Sequence, residues 1–400
     1  MAQHYTAAGC TEQAVSYWQR AGEQASYRSA NLEAISHLTT GIELLQTRPE
    51  TPARTQHALT LYIALGAALH VTKGHAAPEV EHAYLRAREL CQQVGETSQL
   101  VSVLFGLWRF YIVRPQLHTA VEFGDTLLHL AQSAEDPALA VIAHYALGAV
   151  RFCLGAVPAA RRHLDEARAR YTPDQRSTPA FRMGVDPGVA CRMFAAMALW
   201  VLGFPAQALT HLHEALALAD RLSHPYSLAW AHSWAAVVAQ LRRDAPAAHE
   251  HAEAAVVLAT EQGFTLWAAL GIIVRGWALA LHGQCGAGMA QVHHGTAAWR
   301  ETGAAWFVPY FCTMLAEVAD HLGHPEDGLQ ALAEAHILVE QQEERWWEAE
   351  VSRLQGVLLL RQPGTSQAEA EACFQRALDV ARRQEAKSLE LRAAMSPARL

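Results

Sequence analysis

Lysine is nearly absent from this chain of 400 residues: apart from Lys73 and Lys387, the Lys and Arg positions are all arginine. Acidic residues outnumber these basic ones, 39 against 31, so the formal net charge is −8 at pH 7. A nucleic-acid-binding domain normally presents a basic face. The charge balance therefore predicts no nucleic-acid partner.

Paired cysteines and long apolar runs are also missing. The seven cysteines lie far apart, without a CxxC pair, which is typical of reduced thiols and not of a disulfide framework or a zinc site. The first residues, MAQHYTAAGC, lack the basic and apolar regions of a secretion signal. The apolar stretches MFAAMALWVLGFPA and LWAALGIIVRGWALAL are too short for a membrane span or contain Arg275. We expect a cytoplasmic protein without a membrane partner.

Catalytic motifs are absent as well. The chain contains no Gly-Lys dipeptide, which excludes the phosphate-binding Walker A loop, and no Gly-x-Ser-x-Gly nucleophile motif. The segment GAGMAQ begins like a dinucleotide fingerprint but lacks the third glycine and a preceding strand. No strand-like alternation supports the sheet that a nucleotidyl cyclase needs. We therefore predict no catalytic residues, no cofactor and no enzymatic activity.

The chain has 22 histidines, and several are adjacent or nearly so. Neighbours at i, i+1 or i+2 point to different faces of a helix, whereas two metal ligands on one helix are spaced i, i+4. The segment HEHAE has Glu253 where the second histidine of an HExxH motif belongs. We interpret the clusters as solvated surface histidines and predict no metal site there. They comprise His211 and His213, His249 and His251, and His293 and His294.

A phrase of the form Ala-x-x-x-(Leu/Phe)-x-x-Ala recurs along the chain, with steps of 40 residues from Ala208 to Gly328. Internal periodicity of this length is typical of helical repeat proteins. In chain order its three marker residues are Ala34, Leu38 and Gly41; Ala83, Ala87 and Leu90; Ala120, Gly124 and Leu127; Ala160, Leu164 and Ala167; Ala208, Leu212 and Ala215; Ala248, Ala252 and Ala255; Gly288, Val292 and Gly295; Gly328, Leu332 and Ala335; and Ala370, Phe374 and Ala377.

A second predicted helix with a small residue near its middle precedes each phrase by about twelve residues. A mid-helix glycine costs up to ~1 kcal/mol in helix propensity. Two helices approach to about 8 Å only where the side chains at their contact are short. We therefore interpret these small residues as contact points between paired helices; they are Gly22, Gly66, Gly106, Gly148, Ala196, Ala236, Gly276, Ala316 and Gly356.

This pattern resembles the tetratricopeptide repeat, in which Trp-x-x-Leu-Gly on helix A is followed by Ala-x-x-x-Phe-x-x-Ala on helix B. The first unit matches with Trp18, Gly22, Ala34, Leu38 and Gly41. The period is nearer 40 than 34 residues, which implies longer helices. The resemblance implies an all-α fold, a right-handed α-solenoid of about nine helical hairpins.

The segments EQAVSYWQRAGEQA, AISHLTTGIELL and GTAAWRETGA more narrowly resemble the C-terminal repeats of bacterial signalling ATPases with AAA/NB-ARC-type and nucleotidyl cyclase domains. The plan is also similar to the repeat domains of maltose-regulator-type activators. On this resemblance, residues 1–14 would be the remnant of a linker helix, 15–386 the solenoid, and 387–400 the start of a truncated further repeat. The uncapped ends would fray or self-associate.

By analogy with the family, positions around the small residue of helix A line a concave surface. An aromatic-lined groove there could hold a peptide, a partner helix or a small effector. The alternative is that these side chains form the core between repeats. The candidates are Phe110, Tyr145, Phe152, Met193, Met197, Trp200, Trp230, Trp277 and Tyr310, with Glu317, Asp320 and Arg353 adding charge toward the C-terminal end.

Two functional hypotheses follow. The first is a non-catalytic scaffold that binds a protein or peptide partner, with an upstream ATPase or cyclase domain as one candidate. The second is a regulatory domain that binds a small-molecule effector. An enzyme has no constellation of residues to support it.

Overall fold

A computed structural model describes residues 1–28, 30–74, 76–95, 99–177, 184–362 and 367–396, which form helices and the loops that join them, with no strand among them. The helices are α1 (Ala2–Ala7), α2 (Thr11–Tyr27), α3 (Asn31–Gln46), α4 (Pro52–Lys73), α5 (Pro78–Val94), α6 (Leu100–Val113), α7 (Leu117–Ala134), α8 (Pro137–Cys153), α9 (Val157–Arg170), α10 (Pro187–Val201), α11 (Pro205–Leu222), α12 (Pro225–Leu241), α13 (Ala245–Gln262), α14 (Thr265–Leu281), α15 (Cys285–Glu301), α16 (Val308–Leu322), α17 (Pro325–Gln342), α18 (Glu348–Leu359), α19 (Gln367–Arg383) and α20 (Lys387–Met395).

In this described part of the chain, α2 to α19 pair consecutively as nine hairpins, each of a helix A and a helix B. Each hairpin packs on the next, so the prediction of an all-α, tetratricopeptide-like solenoid is confirmed. The boundary expected after residue 14 falls inside α2, whose Ala14 and Val15 are already buried in the first hairpin. Residues 397–400 of the expected partial repeat lie outside the described residues. None of the described helices is long and apolar enough to cross a membrane.

Proline and a capping side chain set the start of several helices. Asp136 precedes Pro137, and its carboxylate accepts the N–H groups of Ala138 at 2.8 Å and Leu139 at 3.2 Å. Asp186 caps α10 in the same way before Pro187. Proline suits the first helical position because its missing N–H would have no partner there, and the aspartate satisfies the N–H groups that follow.

Several small residues of the repeat lie where the two helices of a hairpin touch, whereas Gly106 of α6 contacts Tyr84 of the preceding hairpin. A Cβ on Gly276 would stand 2.7 Å from the carbonyl oxygen of Gly288, and a Cβ on Gly288 would stand 2.5 Å from that of Gly276. In the fourth hairpin a Cβ on Gly148 would meet Leu164 at 2.6 Å. The alanines at the equivalent positions have no exposed surface: Ala34, Ala160, Ala167, Ala196, Ala208, Ala215, Ala236, Ala248, Ala316, Ala370 and Ala377.

The superhelix is tied across its own turn by main-chain hydrogen bonds. The carbonyl oxygen of Val113, the last residue of α6, accepts the N–H groups of Ala305 at 2.9 Å and Trp306 at 3.1 Å. The carbonyl oxygen of Cys153, the last residue of α8, accepts those of Arg345 at 2.8 Å and Trp346 at 3.2 Å. In both crossings the donors precede a helix A that lies five hairpins later in the chain.

Two glycines that follow helices A allow a later part of the chain to approach closely. Gly155 and Gly203 have φ of +76° and +91°, a left-handed conformation that L side chains rarely adopt. A Cβ on Gly155 would stand 3.3 Å from the Cβ of Arg345, and one on Gly203 would stand 2.9 Å from that of Lys387. These glycines therefore end a helix and also admit the next superhelical turn.

Glu344 lies beside the second crossing and is 1% exposed. Its carboxylate accepts the N–H of Phe307 at 2.8 Å and the indole N–H of Trp346 at 2.9 Å. Burial raises the pKa of Glu344 to about 7, although the hydrogen bonds from Phe307 and Trp346 oppose this shift. The carboxyl group thus joins the loop before α16 to the loop before α18.

We expect Gly276→Ala to destabilise the protein by roughly 1–3 kcal/mol, because the added methyl group overpacks against the carbonyl of Gly288. Gly286→Ala, on the neighbouring helix, is the matched control, since a Cβ there meets nothing within 4 Å. That substitution should be neutral or stabilising, as alanine is the better helix former. Thermal melting of both variants measures the difference; equal melting temperatures would contradict the contact.

Glu344→Gln should remove part of the pH dependence of stability. A carboxyl group whose pKa is higher in the folded than in the unfolded protein contributes its full stabilisation at pH values below the unfolded pKa. For Glu344 this contribution is lost as the pH rises through the folded pKa of about 7. The wild-type melting temperature should therefore fall relative to that of the variant between pH 5 and pH 8. Parallel curves over this range would show that Glu344 does not retain its proton.

Candidate functional site

Most of the predicted concave positions lie in the closed interior of the superhelix. Eight of the nine apolar candidates are at most 5% exposed, and Trp200 is 6% exposed. Phe152 contacts Phe194 and Trp346, and Tyr310 contacts Trp346 and Trp347, all within 6.1 Å between ring centroids. Their burial favours the alternative interpretation, a core between repeats, over an open groove. The eight are Phe110, Tyr145, Phe152, Met193, Met197, Trp230, Trp277 and Tyr310.

Four aromatic residues that the sequence analysis did not select fill the centre of this interior. Trp306 and Phe307 precede α16, and Trp346 and Trp347 precede α18; we call these four the aromatic plug. Phe307 packs against Trp234 at 4.8 Å and against Trp346 at 4.9 Å between ring centroids. The signal in the sequence is a pair of adjacent aromatic residues, WF and WW, repeated 40 residues apart.

A small cavity remains between the plug and the helices α6, α8 and α12. Its volume is about 30 Å³, and its walls include Trp108, Tyr145, Trp230 and Trp306. Arg109 also lines it, with its guanidinium 4.7 Å above the ring of Phe105. Pockets for drug-sized ligands have volumes of roughly 300–1,000 Å³, so this cavity is too small for a sugar or a nucleotide.

The C-terminal end of the inner surface is charged and partly exposed. Glu317 on α16 accepts hydrogen bonds from Arg243 and, at 2.6 Å, from the indole N–H of Trp277. Glu350 on α18 pairs with Arg353 at 2.8 Å and with Arg392 of α20 at 3.1 Å. We call Arg243, Glu317, Glu350, Arg353 and Arg392 the charged cluster.

The two carboxylates of the charged cluster are buried, while the arginines reach toward solvent. The Arg243 side chain is 41% exposed and that of Arg392 is 20% exposed, against 6% for Glu317. Burial alone would raise the pKa of Glu350, but the charges of Arg353 and Arg392 outweigh it and lower the pKa to about 2. Three arginines against two glutamates leave an excess of positive charge at this end.

The sequence-predicted polar residues thus fall together. Glu317 and Arg353 belong to the charged cluster, and Asp320 forms a neighbouring pair with Arg361 at 2.8 Å. Arg392 and Arg243 were not predicted, because their partners lie on other hairpins. Arg392 also stacks over Trp200, with its guanidinium carbon 4.8 Å from the ring centroid. Trp200 therefore forms part of the wall of the cluster.

The histidine clusters are less uniform than predicted. His213, His293 and His294 are exposed, as expected for surface residues. His251, however, is half-buried and contacts His232 of the preceding helix. Among the described residues no group of three or more His, Cys, Asp or Glu is arranged to hold a metal ion.

No known protein-family model matches the chain. An uncharacterised protein of Rhizobium meliloti (strain 1021) is 25% identical to it over 402 residues, which is 98% of this chain and 38% of that protein. The chain therefore spans less than half the length of the curated relative that it matches.

Solved structures of low sequence identity share the fold. A Rap protein complexed with competence and sporulation factor has a TM-score of 0.58 at 14% identity, covering 93% of this chain and 99% of that chain. The Rap conjugation gene regulator of plasmid pLS20, in complex with a Phr peptide, has a TM-score of 0.55 at 11% identity, covering 93% and 96%. NprR in complex with its cognate peptide NprX has a TM-score of 0.52 at 11% identity, covering 86% and 98%. The chain is thus similar in its whole fold to helical repeat proteins.

Proposed function

We propose that this chain is a non-catalytic regulatory scaffold that binds a protein or peptide partner through the charged cluster. The observation that carries the proposal is the exposure of Arg243, and the partial exposure of Arg392, at the end of an otherwise filled inner surface. Two of the similar solved structures are described as complexes with a peptide, which supports a partner of the same kind.

The chemistry of the charged cluster favours an acidic partner. An arginine guanidinium presents a planar fork that matches a carboxylate, and its hydrogen bonds to an ionised group are stronger than neutral ones. Trp200 and Trp277 lie beneath Arg392 and Arg243, with 4.8 and 5.5 Å between guanidinium carbon and ring centroid. This stacking holds the guanidinium groups in place, so that less freedom is lost when a partner binds.

The scaffold would serve as the sensor or partner-binding region of a larger signalling protein, with an ATPase or cyclase domain as one candidate partner. The resemblance of its repeats to those of bacterial ATPase–cyclase proteins supports this assignment. A solenoid suits such a role because each repeat contacts its neighbours and leaves a long surface free for other molecules.

The aromatic cavity does not support the alternative function, binding of a small effector. The aromatic cavity near Arg109 is about 30 Å³ and would have to enlarge many times to admit a sugar. A thermal-shift screen with sugars and nucleotides separates the two functions, because a bound ligand raises the melting temperature in proportion to its occupancy. A concentration-dependent rise would favour the effector.

The partner hypothesis can be tested by selecting binders to the purified chain from a displayed library of random peptides. We expect the selected peptides to be acidic. Their affinity should fall at least tenfold in the double variant Arg243→Gln/Glu317→Gln, which removes both charges of one ion pair and so leaves no buried Glu317 charge unpaired. Fluorescence anisotropy with a labelled peptide measures the affinity.

The matched control is Arg168→Gln, a half-exposed arginine of helix B of the fourth hairpin that pairs with Asp165. It should leave peptide affinity unchanged. Peptides that bind the wild type and the double variant equally, or a library that yields no binder, would overturn the assignment of the charged cluster.

A further inference from the structure

Two histidines of the sixth hairpin bring their ring nitrogens together across the helix pair. His232 lies on α12 and His251 on α13, and their Nδ1 atoms are 3.3 Å apart. The ring centroids are 5.4 Å apart, and the planes are inclined by 42°. Both residues are half-buried, so solvent reaches part of the pair.

The fold of the repeat does not require a histidine at either position. His232 lies four residues before the small residue of its helix A, and His251 lies three residues after that of its helix B. In the fifth hairpin these two positions hold Arg192 and His211. In the seventh hairpin they hold Ile272 and Gln291. A pair of imidazoles is therefore not a requirement of the repeat; among the nine hairpins these positions hold two histidines in the sixth and, as His144 and His163, in the fourth.

The separation of the two nitrogens fits tetrahedral metal coordination. A Zn²⁺–N bond of about 2.0–2.1 Å places two ligands of a tetrahedron about 3.3 Å apart. Imidazole binds a metal ion in its neutral form, and the half-buried rings of His232 and His251 are the two such ligands that this hairpin brings together. Their neighbours include acidic side chains, Asp220 and Glu250 acting on His232.

The fourth hairpin contains the same pair in an opposite electrostatic setting. The Nδ1 atoms of His144 and His163 are 3.0 Å apart, with ring centroids 5.3 Å apart. The charge of Arg170 acts on His144, and those of Arg151 and Arg162 act on His163, which also lies near the acidic Asp125. These positive charges oppose a cation, so the fourth hairpin is a natural control for the sixth.

We propose that His232 and His251 bind a divalent transition-metal ion of the zinc, nickel and copper group. Imidazole nitrogen is a preferred ligand of these ions. The two rings supply two ligands from adjacent helices, and water completes the coordination. A bound ion would join helix A to helix B and stabilise the sixth hairpin.

Isothermal titration of the purified chain with Zn²⁺ tests the site. His232→Gln and His251→Gln should each bind one ion fewer than the wild type, or bind it at least tenfold more weakly. Zn²⁺ should raise the melting temperature of the wild type and leave that of either variant unchanged, because only an ion bound to the folded state stabilises it. Two separate variants keep the test valid if one of them fails to fold.

The control is His163→Gln, which breaks the pair of the fourth hairpin and should bind Zn²⁺ like the wild type. Substituting Co²⁺ gives a second readout, since tetrahedral coordination intensifies its visible absorption. Unchanged stoichiometry and affinity in both His232→Gln and His251→Gln would overturn the proposal and leave a simple hydrogen bond between two imidazoles. An equal loss in His163→Gln would overturn the electrostatic argument.

Discussion

The architecture depends on two carbonyl oxygens, those of Val113 and Cys153, that each accept two N–H groups from a loop five hairpins later. A helix end leaves its last carbonyls without partners inside the helix. The loops before α16 and α18 likewise have main-chain N–H groups without a partner inside a helix. Because the helix carbonyls accept hydrogen bonds from the loop N–H groups, the superhelix closes on itself by main-chain hydrogen bonds. The aromatic side chains next to these bonds therefore lie in its centre.

Closure changes how the molecule holds together. In an open solenoid each repeat contacts its neighbours alone, and stability is close to a sum of local terms. Here the aromatic plug packs on helices of the fourth, fifth and sixth hairpins through Phe152, Trp200 and Trp234. Glu344 adds a buried carboxyl group that joins the two closing loops. We therefore expect the middle and C-terminal repeats to unfold more cooperatively than those of an open array.

Closure also decides which surfaces are free to bind. The aromatic inner face becomes core, and the charged cluster at its end remains partly open. The histidine pair of the sixth hairpin lies apart from that cluster, between a helix A and its own helix B. The two proposed sites thus depend on different levels of structure. The charged cluster needs several hairpins in their superhelical arrangement, whereas the histidine pair needs one hairpin.

The local features were determined by the sequence alone. Small residues such as Gly276 and Gly288 could be predicted as contact points because the two helices of a hairpin are close in the chain and their spacing follows the helical period. What only the tertiary structure decided involves partners far apart in the chain. Trp346 meets Phe152, and Arg392 meets Glu350 and Trp200, through the angle between successive hairpins. No periodicity encodes that angle, because small rotations at each repeat accumulate over five hairpins before the contact forms.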